Sequence, residues 1–148
     1  MKTILVPVDL SYATARLCDA ACLLARQLPA RLLLLHVVQT PPFLMNDYYW
    51  IDTGFMDEIV AVGEKIAKHK LEALARRCAK GNIEVATVLA RGKPISRIIE
   101  QAGMGKAAYI VIGSHGHGAV FDLLMGSTTQ GVLRRARCPV LVVPVSSK

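Results

Sequence analysis

Between Gly113 and Ser127 the chain reads GSHGHGAVFDLLMGS, a run whose residue types suit the cradling of an anion. The apolar stretch Tyr109-Ile110-Val111-Ile112 precedes it, and a helical pattern over Thr128 to Arg137 follows. The first has the length and β-branched content of a buried strand, so the glycines punctuate a strand-to-helix turn. Glycine at 113 and 116 admits backbone angles that a Cβ forbids and lets main-chain N–H groups come close to phosphate. Gly126 then opens the last helix, where unpaired N–H groups and the dipole favour negative charge. Ser127, Thr128 and Thr129 place three hydroxyls at that mouth, and Ser114, His115 and His117 stand inside the turn. The plainer alternative is a pair of turn glycines with a serine that only caps a helix.

Two further groups of residues are candidates for the same ligand. Asp9 directly follows the apolar opening Ile4-Leu5-Val6-Pro7-Val8, which puts a carboxylate at the carboxyl end of a strand, the edge where open α/β sheets bind ligands. Helix capping by Asp9 or Ser11 is compatible with that role. Arg91-Gly92-Lys93-Pro94 falls at the end of another strand and before a helix, so Arg91 or Lys93 is expected at a phosphate. No nucleophile with an adjacent base is legible, and Gly126-Ser127 lacks the lysine of a Walker A loop. His115 and His117, without a pair of carboxylates, are weak metal ligands.

These residues need a scaffold, and the pattern supplies one. Strands are predicted over 2–8, 31–38, 83–90, 107–112 and 139–144, and helices over 12–28, 57–80, 95–102 and 128–137. Five strands alternating with helices predict an α/β fold with a parallel sheet covered on both faces, whose strands read as continuous apolar runs such as Leu32-Leu33-Leu34-Leu35. In the long helix, Ile59, Val62, Ile66, Leu74 and Cys78 are expected inside, with Glu64, Lys65, Lys68 and Lys70 outside. Residues 39–56, with two prolines, Tyr48, Tyr49 and Trp50, form the loosest stretch and are expected to be a flexible loop.

Composition bounds the function. The 148 residues fit a single domain over 1–148, large enough to bury about two-thirds of its unfolded surface without disulfides. Cys18, Cys22, Cys78 and Cys138 have no zinc spacing and are expected to be small packing residues. The net charge of +7 attracts polyanions, but it is dispersed, and the interleaved aromatics of a nucleic-acid reader are missing. No run reaches the roughly 18 apolar residues of a membrane span, and no secretory leader is legible at the start, so a cytoplasmic location is expected.

The spacing Gly113-x-x-Gly116, nine residues, then Gly126-Ser127, followed by Pro139-Val140-Leu141-Val142-Val143, resembles the ATP-binding branch of the universal stress protein family. The opening Ile4 to Asp9, Leu34-Leu35-His36-Val37-Val38 and Gly92-Lys93-Pro94 are similar to that family too. Ala108, where the family often has an acidic residue, departs from it. The resemblance implies a Rossmann-like sheet of order 3-2-1-4-5 with ATP, accompanied by magnesium, across the ends of strands one and four. It implies Pro7, Val8, Asp9 and Val37 at the adenosine and Gly113, Ser114, His115, Gly116, Gly126, Ser127 and Thr128 at the phosphates. It also implies a homodimer through Val140–Val143 and a role as a nucleotide-dependent stress-response regulator. Two alternatives stay open: a slow ATPase or autophosphorylating enzyme using His115, His117 or Ser127, and an interaction module with a vestigial site and a partner surface around Trp50.

Overall fold

The computed structural model describes residues 1–39, 53–115 and 125–145. Along the chain run β1 (Lys2–Pro7), α1 (Thr14–Gln27), β2 (Ala30–Val38), α2 (Thr53–Ala79), β3 (Val85–Arg91), α3 (Pro94–Met104), β4 (Tyr109–Gly113), α4 (Ser127–Arg135) and β5 (Val140–Val143). The strands form one parallel sheet in the order β3-β2-β1-β4-β5. β1 is central, with Leu5 in register with Leu33 on one side and Ile110 on the other. This is the expected class and strand order.

Side-chain alternation divides the core into two layers. Ile4, Val6, Leu32, Leu34 and Val111 point to one face and pack with Leu17, Cys18, Ala21, Leu71 and Cys78 of α1 and α2. Leu5, Leu35, Ile110 and Ile112 point to the other and pack with Ile98 and Val132 of α3 and α4. Because successive strand residues face opposite sides, a strand covered on both faces must be apolar at every position. Ile4, Leu5, Val6, Ile110 and Val111 accordingly have no exposed surface.

The cysteines behave as packing residues. All four are free thiols, and Cys18, Cys22 and Cys78 are buried together where α1 meets α2. A hydrogen bond from the Cys78 thiol lowers the pKa of Cys18, while burial pushes Cys22 up to about 12. That same bond to Cys18, with burial, raises Cys78.

Two expectations are corrected in α2. The helix starts at Thr53, so residues 53–56 of the expected loop are helical. No proline lies between Thr53 and Ala79, so nothing sterically excludes the extra turn. Second, Ile59, Val62 and Ile66 are about half exposed. The buried stripe is Ala67, Leu71 and Cys78, with Leu74 and Ala75 partly buried beside it, and Glu64 is turned inward to meet Arg91. Two apolar stripes exist on this helix, and the one nearer the N-terminus does not face the sheet. Trp50, Tyr48 and Tyr49 lie outside the described residues.

α3 and α4 touch at Gly131, where an added Cβ would overlap Cδ1 and Cγ1 of Ile95. Gly131→Ala should therefore destabilise the fold by about 1–3 kcal/mol through overpacking, despite alanine's higher helix propensity. In an Ile95→Ala background the same change should become stabilising. Urea denaturation of the two single variants and the double variant checks the change of sign.

Candidate functional site

The sheet order reverses beside β1, whose neighbours are β2 and β4. The chain leaves β1 into α1 on one face of the sheet and enters α4 on the other after β4, so a gap opens between the carboxyl ends of these two strands. A cleft of about 530 Å³ lies there, within the range of small-molecule sites. Pro7, Val8, Asp9 and Val37 line one part of it, and Gly113, His115, Gly126, Ser127 and Thr128 line another. Nine of the eleven expected site residues thus converge on one cavity. Gly116 lies outside the described residues, as does His117.

The β1 side is held by short-range hydrogen bonds. The Asp9 carboxylate accepts from the backbone N–H of Ser11 at 3.0 Å and from the Thr14 hydroxyl at 3.3 Å. These bonds fold the chain back into α1 and leave Leu10 between them in the left-handed region, at φ 62°, a conformation that costs a leucine free energy and recurs beside binding sites. His36 donates from Nδ1 to the Val8 carbonyl at 2.8 Å, tying β2 to the end of β1. It is a satisfied strand-end histidine that also contributes to the cleft wall.

The β4 side is organised by Ser114 and Thr129. Ser114 accepts at its hydroxyl from the N–H of Val145 at 3.1 Å, and its carbonyl accepts from Gly126 N–H at 2.8 Å. Its Oγ lies 3.2 Å from Nδ1 of His115. Ser114 is not among the residues that line the cleft, and its hydroxyl and carbonyl bonds hold the turn together. Thr129, buried in the first turn of α4, donates its hydroxyl to the Gly113 carbonyl at 2.7 Å. Two of the three expected hydroxyls, those of Ser127 and Thr128, therefore remain at the mouth.

The glycines divide as well. Gly113 closes β4 in register with Val143, and a Cβ there would make only ordinary contacts, so the left-handed freedom expected of it is not used. Gly126, the N-cap of α4, would bring a Cβ to 3.2 Å from Cα of His115. This close approach to backbone favours glycine at 126. Beyond it, the first-turn N–H groups of α4 have no carbonyl within the helix to bond. His115 stands against this turn, 8% exposed, and its buried Nε2 has no hydrogen-bond partner among the described residues. A buried polar atom left unpaired costs free energy unless a ligand meets it.

Arg91 and Lys93 are not among the residues that line the cleft. The Arg91 guanidinium is paired with Glu64 of α2, which raises its pKa. Gly92, at φ 125°, instead turns the chain and bonds its N–H to the Val38 carbonyl at 3.1 Å, leaving Pro94 and Ile98 on the cleft wall. Among lining residues that sequence reasoning missed are Thr14, Leu17, Ile112 and Val145. Thr14 had a signal, a hydroxyl five residues past Asp9 at a helix start; Val145 had none, because only the sheet brings it beside Gly113.

An open parallel sheet with a ligand-sized cleft at its strand reversal defines a doubly wound α/β protein. A model of the Universal stress protein family matches residues 1–144, and the chain belongs to that family. It is 32% identical over 143 residues to universal stress protein YxiE of Bacillus subtilis, covering 94% of this chain and 96% of that protein. The structure of MJ0577 of Methanocaldococcus jannaschii superposes with a TM-score of 0.85 at 24% identity, covering 99% of this chain and 98% of that one. A universal stress protein of Archaeoglobus fulgidus in complex with dAMP superposes at 0.69, with 21% identity and coverage of 99% and 98%.

The Thr129 hydroxyl and the Gly113 carbonyl form a buried pair that pins the first turn of α4 to β4. Thr129→Val keeps the shape and strands the carbonyl, which should lower the unfolding free energy by about 1–3 kcal/mol. Thr129→Ser should retain most of the stability. Chemical denaturation of both variants measures the difference.

Proposed function

We propose that the cleft binds ATP and that the protein is a nucleotide-dependent regulator of the stress response, acting in the cytoplasm. The observation that carries this is the buried Nε2 of His115, unpaired among the described residues and set against the first turn of α4. An imidazole nitrogen and the first-turn main-chain N–H groups of α4 on one wall suit phosphate oxygens. The apolar wall near Val37 and Ile98 suits a base, and Asp9 on the β1 side suits the ribose. That the related Archaeoglobus fulgidus protein is in complex with dAMP supports an adenine nucleotide as the occupant.

Magnesium would accompany the triphosphate. Among the described residues no group of three His, Cys, Asp or Glu side chains could hold an ion, so its ligands would be phosphate oxygens and water. No helix among the described residues is long and apolar enough to cross a membrane. β5 lies at an edge of the sheet with Leu141 43% exposed, and an open apolar edge favours pairing with a second copy through Val140–Val143. A second reading is slow ATP hydrolysis assisted by His115. Phosphate release that His115→Gln abolishes while binding persists would make the protein a slow ATPase.

Titration calorimetry of magnesium-ATP into nucleotide-free protein tests the reading. Wild type should bind, and Gly126→Val, whose side chain would crowd His115 at the mouth of α4, should bind at least about tenfold more weakly. Equal binding by both would remove the phosphates from this turn. No binding by either would make the site vestigial.

A further inference from the structure

The outward stripe of α2 has the form of an interaction seam. Phe55, Ile59, Val62 and Ile66 are 58%, 49%, 58% and 53% exposed. Their spacing of four, three and four residues is that of the core positions of a heptad repeat. Four large apolar side chains in one row on a helix are costly to leave in water, and contiguous exposed patches of this kind mark association surfaces. Gly63 stands beside the row with nothing within 4 Å of where a Cβ would be, so a second helix can approach closely.

The flanking charges select the partner and its direction. Glu58, Lys65 and Lys70 are exposed beside the row, and no ion pair involves them among the described residues. In a parallel pair of such helices Lys65 would face Lys70 of the second copy, a repulsion repeated on both sides. In an antiparallel pair Phe55 meets Ile66 of the second copy and Ile59 meets Val62, so all four residues are used and none is left over. In that register Glu58 lies against Lys65 of the second copy, twice by symmetry. The stripe is therefore complementary to itself in shape and charge, as a two-fold interface requires.

We propose that this protein self-associates through an antiparallel pairing of the N-terminal halves of two α2 helices, with Phe55, Ile59, Val62 and Ile66 as its core and Glu58–Lys65 pairs at its rim. α2 packs with β2 and β3, at the opposite end of the sheet from β5. The α2 contact and pairing at the β5 edge therefore occupy different surfaces. Both together would build assemblies larger than a dimer. The α2 contact stands whether or not nucleotide binds.

Sedimentation velocity over a range of concentrations tests it, in a Leu141→Lys background that charges the β5 edge so that the α2 contact is read alone. That protein should form dimers, and Val62→Asp should weaken them by at least about a hundredfold, because each copy would place a charge in the seam. Glu58→Lys or Lys65→Glu alone should weaken the dimer about tenfold, since each opposes like charges, and the double variant Glu58→Lys/Lys65→Glu should restore it. All four positions are exposed, so circular dichroism should show unchanged folding. A monomeric Leu141→Lys protein, a dimer indifferent to Val62→Asp, or a double variant no tighter than either single one would overturn the proposal.

Discussion

The reversal of strand order between β1 and β4 is the constraint on which the rest of the site depends. Two neighbouring parallel strands can be buried on both faces only if helices cover both, and here α1 and α2 cover one face while α3 and α4 cover the other. The connections from β1 and β4 must then part at the carboxyl ends, leaving backbone groups around a gap that no side chain of the core fills. Asp9, Gly113 and the N-terminus of α4 meet there because of this topology, although more than a hundred residues separate the first from the last. The apolar side chains of Ile4, Leu5, Val6, Ile110 and Val111, with no exposed surface, hold the two strands in place. Burial of that order contributes about 1.5–3 kcal/mol for each large side chain.

At the rim itself, the side chains that look most reactive in the sequence are largely occupied with the protein. Thr129 bonds Gly113, Ser114 bonds Val145, and Arg91 pairs with Glu64. The cleft wall carries main chain, the hydroxyls of Ser127 and Thr128, the His36 and His115 rings, and the Asp9 carboxylate, which Ser11 and Thr14 already engage. Such a surface can hold and orient a polyanion.

How much of this was legible depended on the range of the signal. Strand and helix identities were readable because each rests on local periodicity, and the unbroken apolar runs of β1, β2 and β4 announced a sheet covered on both sides. Ends moved by one to four residues where caps are made by backbone geometry, as at Lys93 and Gly126, neither of which makes a side-chain capping bond. The exposure of Ile59, Val62 and Ile66 was not legible, since periodicity reports an apolar face and does not say what covers it. The assignments of Ser114, Thr129 and Arg91 needed partners 16 to 31 residues away, and no spacing rule connects such pairs. His115 could be placed in the turn from sequence, but its burial and its unpaired nitrogen are properties of the folded contacts.

The most direct measurement is the identity of whatever the purified protein carries. Denaturing it and chromatographing the released small molecules, before and after incubation with magnesium-ATP, reads the occupant of the cleft without any mutation. An adenine nucleotide released in near one-to-one ratio with protein, before or after loading, is the result expected from the geometry at His115 and α4. Protein that releases no nucleotide under either condition would contradict it and leave the cleft to a ligand of another class.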